Sequence, residues 1–565
     1  MTIRRNSFYL KQTVDVIVKV DNQILHGTLN FGGFDIPVFS LKNLNSLGTS
    51  AFFAYVKDKT ELSCSSLSDG KTYTLHGINL YESTISADYI TMGKKNTHFN
   101  TFELHLTGVS AWIDGGRGFS LNGDCLERNI STKTISEAFN FDSEDYLLST
   151  HYDIDTHNKT PVESHISIEH TLVIQKMKGN FSFKECKKIS HELRNLFSLL
   201  VGNSLSVSDI WIFNHDERTN SQWFYFPTAM YAPEPLQYAF EAITSFAELT
   251  EEKKWSGLLS HFFDKNTFRD IWNRIVPSFG RMGAWEYDIL SRVVTLEMYA
   301  SEKTAKKKLA IGRSLHRDFK KKLKETIDDF ASQNNISGDD LIVFNGMAKS
   351  ILDTKNTSLP TLREKYEELI KELSSSLRNA ISFTEDDFKR IKKLRDTTAH
   401  GLDYEKHSPD DDITYEMQLS DRLLVLLMCF VYLELGFNEK EIASFFQHSH
   451  CRFICGADLN KRELNRLSGS ALFIKLANPP KNMILKNLDI VVVNHSKKTD
   501  SWLLNEDITQ KLHTEWLKSG ISYSLDYVKS AVPCKEGQTF ELKQQVYIEH
   551  EGSETEHFLT VIIHS

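Results

Sequence analysis

The sequence contains few cysteines and no long apolar run. Its seven cysteines are spread over 565 residues, and an odd number at wide spacing is not the framework of a disulfide-stapled secreted domain. The longest apolar run, 423–433, has 11 residues, whereas a membrane-spanning helix needs about 20. Both absences predict a soluble protein without a membrane partner, in a reducing, cytoplasmic compartment.

The sequence also has no excess of positive charge. Lysine and arginine total 66 against 75 acidic residues, which gives a net charge of −9. A chain with this balance has no overall field that attracts RNA or anionic lipid, so nucleic-acid binding requires a local basic patch. The early pair Arg4-Arg5 resembles an export signal, but Lys11, Asp15 and Lys19 interrupt the apolar stretch that such a signal needs. Export is therefore not expected.

The first part of the chain has the period of β-strands. Hydrophobic residues make up 40% of the sequence, enough to build a core, and the length corresponds to about three or four domains. Valines alternate with other residues along Val14–Val20, and similar alternation returns up to residue 174. A capping box at Ser182 then begins a helix. We predict an α+β multidomain fold that begins with a β-rich domain over residues 1–230.

Residues 231–446 have the period of helices. One helix is predicted over 384–399, with Thr384 as its N-cap and the acidic residues Glu385–Asp387 in its first turn, where the helix dipole favours them. A longer apolar helix is predicted over 415–435. The pattern indicates an all-α helical bundle.

The remaining residues, 447–565, mix both periods. A helix is predicted around Ile508–Trp516, and strands are predicted over 539–549 and 557–564 with a turn at Glu551–Ser553 between them. This segment is interpreted as a small α+β C-terminal domain. The sequence has no internal repeat.

The best candidate for chemistry is Arg395-Asp396-Thr-Thr-Ala-His400, at the end of the helix predicted over 384–399. An arginine presents a fixed fork of donors to a phosphate, and a histidine titrates near neutral pH. Together they suit acid–base cleavage of RNA, which requires neither a metal ion nor a cofactor. The spacing alone is a weak indicator, because a surface arginine and a histidine at a helix C-terminus also explain the two residues.

The helical region resembles the HEPN superfamily, whose motif has an arginine, a polar residue and a histidine, here Arg395, Asp396 and His400. A β-rich domain in front of such a bundle resembles the ApeA-type anti-bacteriophage defence proteins, over roughly residues 1–446. The resemblance implies a metal-independent endoribonuclease with these three residues in its active site. It also implies a cleft formed by two copies of the bundle, and hence a homodimer.

The same resemblance implies a function in abortive infection. The N-terminal domain is then a regulatory or sensor domain that holds the bundle inactive until a phage-derived trigger arrives, and the substrate is RNA. The alternative is a non-catalytic HEPN module that binds RNA or a nucleotide, or serves as a scaffold. Both alternatives use the same fold, so only the chemistry at Arg395 and His400 separates them.

A basic stretch within residues 303–324 is the predicted RNA-positioning surface. Its residues include Lys306, Lys307, Lys308, Arg313, Arg317, Lys320 and Lys321. Release of counterions upon phosphate contact would favour RNA binding there despite the acidic chain. A solvated helix face is the alternative interpretation.

Two further segments contain the residue types of metal ligands. One is the cluster of His448, His450, Cys451 and Cys455, which lacks a second matched pair nearby; we interpret it as a partly buried cysteine pair with solvated histidines. The other is the alternating set His151, Asp153, Asp155 and His157, which we interpret as a polar loop between strands. No metal site is predicted, and the sequence has no P-loop, nucleophile-elbow or metalloprotease signature.

Overall fold

The structure, a computed structural model, describes residues 8–564 apart from 21–22, 43–51, 53, 82–83, 94–97, 116–118, 123–124, 129–133, 161–162, 229–235, 237, 265, 281–284, 305–310, 353–359, 400–412, 479, 481–483, 489, 520–529 and 533–537. The described strands before the helical region are β1 (Gln12–Val20), β2 (Gln23–Gly32), β3 (Asp35–Leu41), β4 (Glu61–Ser66), β5 (Thr72–Tyr81), β6 (Thr84–Met92), β7 (Thr101–Leu106), β8 (Phe119–Asn122), β9 (Cys125–Arg128), β10 (Ser136–Phe141), β11 (Glu144–Thr160), β12 (Glu163–Lys176), β13 (Val207–Phe213) and β14 (Gln222–Tyr225).

The described helices are α1 (Val109–Asp114), α2 (Phe183–Val201), α3 (Phe246–Glu251), α4 (Trp255–Asp264), α5 (Asn266–Ile275), α6 (Trp285–Thr304), α7 (Arg313–Gln333), α8 (Gly338–Leu352), α9 (Leu362–Ile370), α10 (Ser375–Ile381), α11 (Glu385–Ala399), α12 (Thr414–Glu434), α13 (Glu439–His448), α14 (Arg452–Gly456), α15 (Lys461–Ser468) and α16 (Glu506–Ser519). The C-terminal strands are β15 (Leu472–Lys475), β16 (Val491–Ser496), β17 (Ser501–Leu504), β18 (Thr539–Lys543), β19 (Val546–His550), β20 (Ser553–His557) and β21 (Thr560–His564).

Twelve of the described N-terminal strands form one large antiparallel sheet in the order β10-β11-β12-β7-β13-β14-β6-β3-β2-β1-β4-β5, and β6 pairs with β5 as well, while β8 and β9 form a separate two-stranded sheet. The second pairing closes β1, β2, β3, β6, β5 and β4 into a ring. The alternation in β1 buries Val16, Val18 and Val20, and β1 pairs with β2 as far as Val20 opposite Gln23. The period-two pattern therefore predicted this domain correctly.

Helix α2 joins the sheet to the helical region. Its capping box, in which Ser182 accepts from Glu185 N, matches the predicted start, and Gly202 ends it in the left-handed conformation. The helix contacts β7 and β13 on one side, and the Tyr432 hydroxyl of α12 donates to the Leu199 carbonyl at 2.9 Å on another. A single hydrophobic core consequently runs from Phe8 to Leu464.

The C-terminal region has two layers of strands and one helix. A three-stranded sheet, β15-β19-β20, faces a four-stranded sheet, β17-β16-β21-β18, across a small core. Helix α16 covers the other face of the four-stranded sheet. The strand predicted over 539–549 is divided into β18 and β19 because Gln545 has a positive φ of 66°. The fold class predicted from the sequence, α+β with several domains, is confirmed.

Candidate active site around Arg395

Helix α11 begins where the sequence predicts it. The Thr384 hydroxyl accepts from the Asp387 backbone amide at 3.2 Å, and the Asp387 carboxylate accepts from the Thr384 amide at 2.8 Å. Each of these two hydrogen bonds satisfies a backbone N–H that would have no partner if the helix were uncapped. The inward stripe of α11 is almost fully buried and consists of Phe388, Ile391 and Leu394. This stripe sets α11 against α6 and places Arg395 at the boundary of the core.

Arg395 bridges two helices through its guanidinium. One terminal nitrogen, Nη2, donates to the Glu297 carboxylate on α6 at 3.0 Å, and Nη1 donates to Asp396 at 2.7 Å. The side chain is about 30% exposed. The hydrogen bond to Asp396, together with the charge of Glu297, raises the pKa of Arg395, so the cation is permanent. A guanidinium has five N–H donors, so several donors of Arg395 remain for a phosphate. The two carboxylates fix the plane of the guanidinium.

Glu297 was not predicted as a site residue. It directly follows Leu296, a residue of the apolar stripe of α6, and its contact with Arg395 crosses 98 positions of sequence. No local pattern indicates such a pairing. One helical turn later on α6, the Ser301 hydroxyl accepts from Lys365 Nζ of α9 at 2.9 Å. Residues four apart share a helix face, so this face of α6 receives two cations from two neighbouring helices.

A cleft lies beside α11 on the N-terminal side of Arg395. Its volume is about 180 Å³, and its lining includes Arg363, Lys389 and Lys392. Arg363 bonds to Glu367 at 2.7 Å, and Lys389 bonds to Asp386 at 2.9 Å. Lys392 precedes Arg395 by three residues, so it lies on the same helix face. The described residues offer the exposed Lys392 ammonium no hydrogen bond or ion pair, and it is a second cation beside Arg395.

The third predicted residue, His400, lies outside the described residues, directly after the last residue of α11, Ala399. The beginning of α12, on the far side of that segment, is tied to α11 at two points. The Tyr415 hydroxyl donates to the Asp387 carboxylate at 2.6 Å, and Arg390 pairs with the buried Glu416. The two helices that flank His400 in sequence are therefore fixed against each other.

The predicted basic surface lies on a different part of the fold. Lys306, Lys307 and Lys308 lie outside the described residues. The other four cations named in that prediction are described and lie on α7: Arg313, Arg317, Lys320 and Lys321. Helix α7 has no buried side chain and packs against α8. The structure does not bring these residues to Arg395, whose partners among the described residues are Glu297 and Asp396.

The cysteine–histidine segment does not gather into a metal site. Cys451 is buried, its thiol donates to the Gly202 carbonyl at 3.4 Å, and burial raises its pKa to about 12. Cys455 is exposed, and His448 Nδ1 is bonded to the Ser444 carbonyl at 2.9 Å. Within the described ranges, no group of three or more His, Cys, Asp or Glu side chains is placed to hold a metal ion.

The interpretation of residues 151–157 as a polar loop is wrong. The segment is part of strand β11 and pairs with β12 in unbroken register, from His151 opposite Thr171 to His157 opposite His165. Polar side chains are compatible with a strand here because the backbone satisfies its hydrogen bonds across the ladder. His151 Nε2 is within 2.8 Å of Arg218 Nη1, a contact between side chains of the N-terminal domain.

The family of the chain follows from two matches. Residues 17–279 match the family model described as ApeA N-terminal domain 1, and residues 286–441 match the one described as Apea-like HEPN. The second match contains α6 and α11, the two helices that hold Arg395. These results define a HEPN-domain protein with a β-rich domain in front of it.

Because both domains match models of the same family, the chain belongs to the ApeA-type HEPN defence proteins, as the resemblance predicted. No curated protein matches the chain, and no solved structure does so. In the part of the chain that the structure describes, no helix is both long and apolar enough to cross a membrane.

Proposed function

We propose that this protein is a metal-independent endoribonuclease that acts in anti-phage defence. The observation that carries the proposal is the arginine of the HEPN motif at the edge of α11, partly exposed and fixed by Glu297 and Asp396. A buried arginine with all of its N–H donors bonded would serve only the fold. A surface arginine with free N–H groups, five positions before a histidine, is suited to hold a phosphate.

The proposed reaction is an internal transfer of the phosphate. His400 either takes the proton from a ribose 2′-OH or gives a proton to the leaving 5′-oxygen, and water is the partner in the other proton transfer. The 2′-oxygen forms a bond to phosphorus, and the bond between phosphorus and the 5′-oxygen breaks. Arg395 stabilises the negative charge that builds up on the phosphate oxygens. Asp396 and Glu297 orient Arg395. The products are a 2′,3′-cyclic phosphate and a 5′-hydroxyl.

RNA would reach this site along exposed cations. Lys392 lies next to Arg395 on the same face of α11, and the exposed cations of α7, including Arg317 and Lys321, would form a second RNA contact on another part of the fold. Each phosphate contact releases counterions, so binding is expected to weaken as salt increases. We further propose that two copies of the bundle contribute one Arg395 and one His400 each to a common cleft.

Control by the N-terminal domain would use the shared core. In addition to Tyr432 and Leu199, the Trp112 indole donates to the Thr244 carbonyl at 2.6 Å. A phage-derived trigger that shifts the sheet would therefore move helices of the bundle. We propose that the protein acts in the cytoplasm, where both its RNA substrate and such a trigger occur.

The direct test is RNA cleavage by the purified protein in the presence of a chelator. Acid–base chemistry with an arginine needs no Lewis acid, so the rate in EDTA should equal the rate with Mg²⁺ within about twofold. The reaction is followed by gel electrophoresis of a labelled RNA, with identification of the cyclic phosphate end. Loss of cleavage in EDTA that a divalent ion restores would contradict the mechanism. A protein that binds RNA but never cleaves it would support the non-catalytic alternative.

Glu297 gives a second prediction, because it fixes Arg395 without touching the substrate. Glu297→Ala should lower kcat at least about tenfold with little change in KM, because a mobile guanidinium no longer holds the position that stabilises the transition state. Glu297→Gln retains an acceptor oxygen and should recover part of the rate. Glu302→Ala, an exposed glutamate on the same helix, is the matched control. Equal rates for Glu297→Ala and the control would remove Glu297 from the site.

A further inference from the structure

The cleft beside α11 is lined by side chains of both charges. Arg363, Lys389 and Lys392 contribute the cations. Glu367 and Glu385 contribute the carboxylates. All five side chains are exposed, so the rim of the cleft offers hydrogen-bond donors and acceptors side by side. A phosphate presents acceptor oxygens, whereas the edge of a nucleobase carries both donors and acceptors. The mixture of charges at the rim therefore fits a base better than a phosphate.

Arg363 is held across two helices by two carboxylates, as Arg395 is. Its Nε donates to Glu367 on α9 at 2.7 Å, and its Nη2 donates to Glu385 on α11 at 2.5 Å. Each carboxylate receives Arg363 on its Oε1 atom, and the described residues give its Oε2 atom no hydrogen bond. A carboxylate has about four acceptor positions. The arrangement therefore fixes the plane of the Arg363 guanidinium and leaves carboxylate oxygens that can accept from a ligand.

A buried tyrosine also lines this cleft. Tyr366 is 6% exposed, and its ring stacks on Phe388 with the two centroids 4.0 Å apart. Burial raises the pKa of Tyr366 above its ordinary value, so the hydroxyl keeps its proton and can donate it in a hydrogen bond. Among the described residues, this hydroxyl has no hydrogen-bond partner. Polar groups of buried residues normally have a partner, and a ligand in the cleft would supply one.

The cleft lies beside the proposed catalytic arginine. Its lining residues on α11 run from Glu385 to Lys392, and Lys392 precedes Arg395 by three residues, which is about 4.5 Å along the helix axis. A base in the cleft and a phosphate on Arg395 can therefore belong to neighbouring nucleotides of one RNA chain, with the Lys392 ammonium between them. The cleft volume of about 180 Å³ corresponds to about six water molecules, which is room for one base.

We propose that this cleft binds a guanine base of the substrate RNA, next to the phosphate held by Arg395, and so determines where the chain is cut. This inference rests on the proposed function, because it treats the bound RNA as the substrate. Guanine has two adjacent donors on its Watson–Crick edge, N1–H and the N2 amino group, and one carboxylate can accept from both. Its O6 and N7 atoms are acceptors, which suit the ammonium groups of Lys389 and Lys392.

The other bases fit the same groups less well. Adenine, cytosine and uracil each have an acceptor directly beside the donor on the Watson–Crick edge, and that acceptor would repel the second oxygen of a carboxylate. Single-stranded RNA commonly exposes this edge to a protein and stacks its bases on arginine guanidinium planes. The fixed plane of Arg363 offers such a surface, so the discrimination between bases is assigned to Glu367 and Glu385.

The test measures binding of labelled decauridine RNAs to the full-length protein by fluorescence anisotropy, with one central uridine replaced by guanosine, inosine or adenosine. The sugars carry 2′-fluoro groups, which prevent cleavage, and inosine lacks only the N2 amino group of guanosine. The wild type should bind the guanosine RNA at least about tenfold more tightly than the other two, because each analogue leaves a carboxylate without its donor. With ribose in the same RNAs, cuts should fall at a fixed distance from the guanosine.

Two variants locate the preference. Glu367→Gln/Glu385→Gln removes both carboxylates at nearly constant volume, so the guanosine and inosine RNAs should bind within about twofold of each other. Tyr366→Phe keeps the stacked ring and removes the hydroxyl, which should weaken binding of the guanosine RNA about three- to tenfold. The control, Glu302→Gln/Glu325→Gln, makes the same charge change at exposed residues outside the cleft and should keep the wild-type preference. Exposed ion pairs contribute little to stability, so circular dichroism spectra should match.

Three results would overturn the proposal. The first is equal binding of the guanosine, inosine and adenosine RNAs by the wild type. The second is a guanosine preference that survives Glu367→Gln/Glu385→Gln or is lost equally in the control. The third is binding of guanosine monophosphate as tight as that of the guanosine RNA, which would assign the cleft to a free nucleotide. Cleavage without a guanosine preference would refute only the cleft, and a guanosine preference without cleavage would refute only the endoribonuclease.

Discussion

Replacement of Arg395 or His400 by alanine is expected to abolish RNA cleavage and leave the fold intact. Loss of a general acid–base group costs about 10²–10⁴ in rate, and loss of a cation that meets the transition-state charge costs about 10²–10³. Arg395 lies at the surface edge of α11 and its removal opens no core cavity. The thermal midpoint should therefore stay within about 2 °C of the wild type.

The measurement is the initial rate on one labelled RNA under single-turnover conditions, with toxicity on expression as an independent readout. Lys393→Ala is the matched control, because Lys393 is an exposed cation two residues before Arg395 and on another helix face. It should cleave at the wild-type rate. Wild-type cleavage by purified His400→Ala would refute the assignment of the active site.

The second large effect is expected from reversal of charge in the basic stretch, with Lys306, Lys307, Lys320 and Lys321 all changed to glutamate. If the four ammonium groups contact phosphates, the affinity for every RNA should decrease at least about 100-fold near 0.1 M salt. The slope of log affinity against log salt should become shallower by about three, since each contact with a single strand contributes about 0.7. At saturating RNA the cleavage rate should not change, because Arg395 and Glu297 are intact.

A control variant with the same change in net charge isolates the effect of position. Lys19, Lys178, Lys497 and Lys498 are exposed and lie outside the bundle, so their reversal should leave RNA affinity nearly unchanged. Fluorescence anisotropy at two salt concentrations gives both slopes, and sedimentation of the same samples reports the oligomeric state. An unchanged slope for the first variant would favour the solvated-face interpretation of the stretch.

Features with a local cause could be predicted from the sequence. Helix α11 starts at Thr384 because a hydroxyl, an amide and the Asp387 carboxylate three residues later satisfy one another, and these groups are adjacent in the chain. Strand β1 is likewise set by the alternation along Val14–Val20, which buries every second valine from Val16 on. The order of the domains is visible for the same reason, since strand and helix periods change within a few residues.

Features that depend on packing could not be predicted. Glu297 meets Arg395 only because α6 and α11 pack together, and an acidic residue beside an apolar stripe is common on any helix. Residues 151–157 have the composition of a loop, but the long ladder with β12 keeps them extended. The cations of α7 were visible in the sequence, whereas the exposure of Leu315 and Phe319 on the same helix was not. An apolar stripe normally indicates a buried face.

The hydrogen bond from Tyr432 to the Leu199 carbonyl has a consequence for how this family can diversify. It lies in the continuous core between the N-terminal domain and the bundle. Separation of the two halves would therefore expose buried apolar side chains on both. An N-terminal domain exchanged between relatives would have to bring α2 and a matching face of α12 with it, or leave a polar hydroxyl without its acceptor among apolar side chains. If the N-terminal domain senses a trigger as proposed, new specificities should arise by change in the exposed loops of the sheet, while the residues that join the two halves change together.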